Sequence, residues 1–455
     1  MDRAVPVVLA SLLLGGCPKE AAPVTSWWEA DEASRQAVED PPLAHLPAPK
    51  DLDLVGATVL TATGARHAPG RVLVRDGRIA WVGDEGEGPD CAACEVVRAD
   101  GAWVTPGLID THSHLGVYPS PHLRAHGDGN EATSPTTPGV WAEGSVWPGD
   151  PGFRRAVAGG VTTLQILPGS ANLVGGRGVV VRPIPARGGR AMRFPGAPET
   201  VKMACGENPK RVYGDGGGPS TRMGNLKVMR ETFLRAQGYL EAWAQGDPPE
   251  RDLDLDTLAG VLEGRFLLQV HCYRSDDMLS FLQLAQEFGF RVRGFHHAIE
   301  AYRIRDILAA QEVSVSTWSD WWGFKAEAWD AVLQNAALVA EAGGRAVIHS
   351  DDALGIQRLN QEAAKAWHDG LAVGIDLEED EALRWITANA AWTLGLDDET
   401  GSLEAGKRAD LVLWDAHPFS VYARAQRVWI DGRLVYDHEV PVAWSDVEPV
   451  REVGP

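Results

Sequence analysis

Pro106-Gly107-Leu108-Ile109-Asp110-Thr111-His112-Ser113-His114-Leu115-Gly116 is a short apolar run that ends in two histidines one residue apart. Alternate residues of a strand point the same way, so His112 and His114 can present two imidazoles to one point. Imidazole is the commonest transition-metal ligand. From Val104 onward, short apolar runs alternate with helical stretches, the rhythm of βαβ units. Eight runs are expected as strands: Leu108–Thr111, Val161–Leu167, Val179–Pro183, Val201–Met203, Phe266–His271, Val292–His297, Val313–Thr317 and Ala346–Ser350. Amphipathic helices are expected between several of them, over Met278–Phe288, Ala301–Ala310 and Ala326–Ala342. Eight strands over about 250 residues fit an α/β fold of the (β/α)8 TIM-barrel type, with its active site at the C-terminal strand ends. The two histidines end the first strand.

On either side of this region the period changes to that of antiparallel β structure. Leu54–Leu60, Arg71–Val74 and Arg78–Gly83 alternate, with Asp76-Gly77 as a hairpin turn. Asp410–Asp415 and Arg427–Val435 repeat the pattern, with Asp431-Gly432 as the second turn. Two β segments flanking a barrel suggest a small composite β-sandwich built from both chain ends. The expected organisation is a signal peptide over 1–17, a Pro-rich tether over 18–50, sandwich over 51–105, barrel over 106–400, sandwich again over 401–440, and a tail over 441–455.

Ala4 to Leu14 is apolar apart from Ser11, and Gly15-Gly16-Cys17 follows. Eleven residues are too few for a hydrocarbon core of about 30 Å, but they suit a signal-peptide h-region. Leu14-Gly15-Gly16-Cys17 looks like a bacterial lipobox, which makes Cys17 the expected lipidation site and the membrane a partner through that anchor. The expected location is therefore the cell envelope, periplasmic or on the outer surface. A net charge of −21 excludes a basic nucleic-acid-binding surface as the organising feature. Five cysteines are too few for a disulfide scaffold in 455 residues. Cys91-Ala92-Ala93-Cys94 has no second CxxC to complete a zinc site, and is expected to form a local disulfide.

The PG-hydrophobic-hydrophobic-D-x-H-x-H run resembles the opening motif of the amidohydrolase superfamily, particularly its imidazolonepropionase-like branch. Gly160-Val161-Thr162-Thr163, Thr387-Ala388-Asn389-Ala390-Ala391 and Gly401-Ser402-Leu403-Glu404-Ala405-Gly406-Lys407-Arg408-Ala409-Asp410-Leu411-Val412 continue the likeness, which runs from about Leu54 to Tyr436. The resemblance implies a histidine ligand at the end of strand five, met by His271, and one on strand six, met by His297. His297 is preferred to His296 because a small residue follows it. It implies an aspartate after strand eight that binds metal and accepts the proton of the attacking water. Asp351 is preferred for this role, with Asp352 as the alternative register. Binuclear members carry on strand four a lysine that becomes a carbamate bridging both metals. Lys202 stands at that place, with Glu207 as the alternative bridge.

The resemblance further implies a hydrolase of a carbon–nitrogen bond in a small molecule, an amide or cyclic amide such as a dipeptide or N-acyl amino acid. Two zinc ions are the expected cofactors, from the His and carboxylate donors. A mononuclear deaminase using His112, His114, His271 and Asp351 is the alternative within the family. A catalytically silent lipoprotein that binds a small molecule is the alternative outside it. Tyr213, Arg222 and Arg274 are candidates for gripping a substrate carboxylate or amide. Trp318, Trp321 and Trp322, which follow strand seven, are candidates for lining a pocket.

Overall fold

The computed structural model describes residues 26–36 and 48–440, in two compact units. The described part of the first is a single helix, Trp27–Gln36. It falls inside the stretch expected to be a tether, in a ten-residue interval that contains no proline; Pro23 and Pro41 stand outside it. The lipobox and the tail over 441–455 lie outside the described residues. Among the described residues, no helix is long and apolar enough to cross a membrane.

The second unit contains two eight-stranded sheets. One is made from both chain ends: β1 (Leu52–Leu60), β2 (Arg66–Arg75), β3 (Arg78–Asp84), β4 (Glu95–Arg98) and β5 (Trp103–Pro106) come from the first part. After the eight strands of the other sheet, β14 (Leu411–Trp414), β15 (Ala425–Ile430) and β16 (Arg433–Asp437) complete it. Antiparallel pairing of β5 with β14 (Leu411 opposite Pro106, Trp414 opposite Trp103) joins the two chain ends. One apolar core then spans both parts, with Leu54, Val59, Val72 and Val104 against Leu403, Leu411, Leu413 and Trp429.

The other sheet holds β6 (Leu108–Ser113), β7 (Val161–Ile166), β8 (Val174–Val181), β9 (Thr200–Ala204), β10 (Leu267–His271), β11 (Val292–His296), β12 (Ser314–Thr317) and β13 (Ala346–Ile348), hydrogen-bonded in that order. It is a nearly closed, TIM-like barrel. β6, β7 and β13 are buried along their whole length, although β6 and β7 mix polar residues with apolar ones. One strand departs from the parallel expectation. β8 runs antiparallel to both β7 and β9, and it starts at Val174, five residues before the expected Val179.

The helical expectation over Ala326–Ala342 is also corrected. The segment forms a 3-10 turn at Ala326–Ala328 and a helix only from Asn335 to Glu341. Tertiary contacts override the alanine-rich periodicity there. Ala328 packs with Tyr273, Ile299 and Trp318, and the Asn335 amide donates to Ala298 O and Thr317 Oγ1, at 2.9 and 3.1 Å.

Asp110 closes the barrel between β6 and β13. Its Oδ1 accepts the backbone N–H groups of His112 and Ser350, both at 3.1 Å, and its Oδ2 accepts the Ser350 hydroxyl. Burial pushes its carboxyl up to about 7 against those hydrogen bonds. The same closure sets Asp351 N–H on His112 O at 3.0 Å, so the end of the last strand faces the end of the first. Gly107 is needed where the two sheets meet. Its N–H donates to Asp410 O at 2.8 Å, and a Cβ there would fall 2.0 Å from Thr162 Oγ1 on β7.

Candidate metal centre

At the C-terminal end of β6, His112 and His114 converge on Asp351. His114 Nε2 lies 3.2 Å and His112 Nε2 3.7 Å from Asp351 Oδ1. His297 Nε2 lies 3.7 Å from Asp351 Oδ2. One ligand atom from each of His112, His114 and Asp351 falls within a span of 4.8 Å. His114 Nδ1 is 2.8 Å from Leu167 O, which fixes its ring and leaves Nε2 facing the carboxylate. His297 and Asp351 both hold positive φ, 58° and 49°, a conformation uncommon outside glycine.

Asp352 does something else. Its Oδ1 accepts the N–H groups of Leu354, at 2.9 Å, and Gly355, closing the turn after β13. The register therefore presents Asp351, and not Asp352, to the histidines.

His271 ends β10 with its ring centroid 4.9 Å from that of His297, and its Nε2 lies 3.3 Å from Asn208 Nδ2. His296 turns to Gln269, with Nε2 2.7 Å from Oε1, and packs 4.8 Å from the His112 ring. Lys202 is fully buried on β9, and its Nζ donates to Pro168 O at 3.0 Å. Burial pushes its pKa down to about 7, opposed by the charge of Asp351. Glu207 begins the helix after β9 instead, with its carboxylate 3.8 Å from Lys325 Nζ.

Burial, with Lys202 and the other rings nearby, holds His112, His271 and His297 well below the usual histidine range. They are neutral, which is the metal-binding form. Both nitrogens of His112, and Nδ1 of His271 and His297, are buried with no hydrogen-bond partner among the described residues. Unpaired buried polar atoms are costly, and a divalent cation held against Asp351 would engage His112 Nε2, one of these atoms. The donor set fits a metal.

The substrate candidates behave differently from one another. Arg222 is held in ion pairs with Asp277, at 2.8 Å, and with Glu327. Arg274 is half-buried and pairs with Asp276 at 2.7 Å. Tyr213 is buried, with a hydroxyl that has no hydrogen-bond partner among the described residues. Trp318 stacks on His297 at 4.6 Å and on the exposed Trp321 at 5.4 Å, so an aromatic roof leads outward from the histidines.

Three residues near the site escaped the sequence reading. His349 Nε2 lies 3.3 Å from His297 N, and burial pushes its ring down to about 4. Asn208 touches His271, and Lys325 donates to Asn208 Oδ1 at 3.2 Å while its Nζ sits 4.3 Å over the Tyr273 ring. Only the position of His349, beside the strand-eight aspartate, carried a signal.

Residues 296–436 match the model of the amidohydrolase family. An amidohydrolase of Thermotoga maritima MSB8, known by crystal structure, is 35% identical with a TM-score of 0.78, covering 85% of this chain and all of that one. Amidohydrolase tasK of Hapsidospora irregularis is 33% identical over 402 residues, which are 82% of this chain; the match spans 40% of the length of tasK. An imidazolonepropionase of Bacillus cytotoxicus is 23% identical over 420 residues, 83% of this chain and 91% of that protein. The chain belongs to the amidohydrolase superfamily.

Proposed function

We propose that the protein is a metal-dependent hydrolase of a carbon–nitrogen bond in an amide or cyclic amide. The convergence of His112, His114 and Asp351, among buried imidazole nitrogens without partners, carries this reading. In it His112, His114, His271, His297, Lys202 and Asp351 hold divalent cations, two zinc ions as the expected complement. A cation so held polarises a carbonyl and acidifies a water. Asp351, with its side chain 23% exposed, is placed to accept the proton of the attacking water and pass it to the leaving nitrogen. Trp318, stacked on His297 and donating from Nε1 to Ser350 O at 3.0 Å, excludes bulk water from that side. Elemental analysis of the purified body, followed by a screen of dipeptides, N-acyl amino acids and cyclic amides, tests the assignment. A metal-replete protein inert to every C–N substrate would sink it.

Lys325 supports a substrate that carries a carboxylate. Its ammonium is half-buried against Tyr273 and 3.8 Å from the Glu207 carboxylate, and its charge also reaches His271 and Asp351. Lys325→Ala is expected to raise KM by roughly tenfold or more for an N-acyl amino acid, from loss of a charge-assisted hydrogen bond. The corresponding methyl ester, which lacks the anion, should be little affected. An equal change for both compounds would show that Lys325 does not read the carboxylate.

β1–β5 and β14–β16 act as a composite β-sandwich domain beside the barrel. The protein is held in the cell envelope by lipid on Cys17. All four described cysteines are paired, Cys91 with Cys94 and Cys205 with Cys272, which favours an oxidising compartment and leaves Cys17 as the odd thiol. Cys17→Ala is expected to move the protein out of the membrane fraction or leave it unprocessed; unchanged fractionation and processing would reject the anchor.

A further inference from the structure

The Cys205–Cys272 disulfide lies where β9 and β10 stop being a ladder. The parallel pairing ends with His271 opposite Ala204, and Cys205 N–H still donates to His271 O at 2.9 Å. Beyond that bond the two segments part. One turns through Gly206, at a φ of +79°, into the helix Glu207–Tyr213. The other passes from Cys272, whose N–H donates to His296 O at 3.0 Å, into Tyr273. The disulfide, between residues 67 apart in sequence, ties them covalently just past the end of the ladder.

What it links are two members of the metal-binding set. Lys202 precedes Cys205 by three residues, and His271 directly precedes Cys272. Both departing segments also touch His271: Asn208 through its amide at 3.3 Å, and Tyr273 through its ring at 4.6 Å between centroids. Fraying at this strand end would displace the ring and two of its neighbours together. Metal centres tolerate little displacement of their donors, so supporting groups must be locked in place.

We propose that the Cys205–Cys272 disulfide is a positioning element of the metal centre, fixing the spacing of Lys202 and His271 so that metal affinity depends on the bond being closed. The proposal rests on the metal-centre reading above. Reduction by a water-soluble phosphine breaks the S–S bond, forms two thiols and converts the phosphine to its oxide with oxygen from water. The remote Cys91–Cys94 pair responds to the same reagent, so the test uses a Cys91→Ser/Cys94→Ser protein.

Competitive zinc titration and cobalt(II) absorption are followed for that protein oxidised, reduced and freed of phosphine, and reoxidised. The Cys205→Ala/Cys272→Ala variant on the same background is the second measurement. Circular dichroism monitors the fold. The expected result is metal binding in the oxidised form, at least about tenfold weaker affinity and an altered cobalt spectrum after reduction, and recovery on reoxidation, all at constant secondary structure. The alanine variant should match the reduced form. Equal affinity in oxidised, reduced and alanine proteins would overturn the positioning role while leaving the metal centre standing. Tighter binding after reduction would overturn it as well, by showing the freed thiols to be ligands. Failure of the oxidised protein to bind metal would remove the metal-centre reading and this proposal together.

Discussion

Alanine at His112 or at His114 is expected to empty the metal centre and abolish nearly all turnover while the barrel stays folded. The two imidazoles come from one strand end by the two-residue period, and both meet the same Asp351 oxygen. Removing either takes away one of the proposed ligands, so the loss should exceed the roughly 10–100-fold that removal of a supporting residue brings. The fold should survive because the closure uses backbone and Asp110. Asp351 N–H binds the carbonyl of residue 112, and Asp110 binds the N–H of residue 112 whatever its side chain. Neither bond needs an imidazole.

Asp351→Asn should separate two roles that His112→Ala removes together. The amide keeps an oxygen for a cation but cannot accept a proton, so metal should partly remain while turnover falls. Asp352→Asn should be mild, because that side chain serves the turn to Leu354 and Gly355. Metal content by elemental analysis, secondary structure by circular dichroism and kcat on one hydrolysed amide check all four variants. A His114→Ala protein with full metal and normal kcat would remove the site from this strand end.

The barrel was legible because short β-rich runs alternate with helical stretches, and each of the eight runs overlaps a strand. The direction of β8 was not. A fully buried strand reads the same in either orientation, and the glycines at 175, 176 and 178 kept its first half out of the expected strand. His112 and His114 stood out by local spacing, whereas His271, His297 and Asp351 were singled out only through the family resemblance. Lys325 and Asn208 were invisible because their contact joins residues 117 apart, and nothing in either local pattern marks it. Cysteine pairing followed the same division. Cys91–Cys94 is local and was expected, whereas Cys205–Cys272 depends on two strands being neighbours in space. Arg222 looked available for substrate until packing put Asp277 and Glu327 against it.

Lys202→Ala is expected to lower the metal content from about two per chain to one or fewer and to cut turnover sharply. A fully buried lysine whose hydrogen bond among the described residues goes to a backbone carbonyl is an unusual thing to keep in a barrel. Burial disfavours its ammonium form, which brings the pKa down to about 7 and leaves a substantial share of free amine near neutral pH. That amine can add to CO2: the N–C bond forms, a proton leaves, and the neutral side chain becomes an anionic carbamate with two oxygens. An anion would suit a place among neutral histidines far better than an ammonium does, and its oxygens would add donors for a divalent cation. Bicarbonate should therefore help reconstitute the apo protein, and acetate should partly restore activity to Lys202→Ala by occupying the vacated space. Lys202→Met, which fills the volume without an amine, should lose the same metal with less loss of stability, separating the ligand role from packing. Glu207→Gln should be milder, since that carboxylate sits beside Lys325 and is 30% exposed. Two metals and normal turnover in Lys202→Ala would exclude the bridge; metal loss from Glu207→Gln alone would transfer it to Glu207.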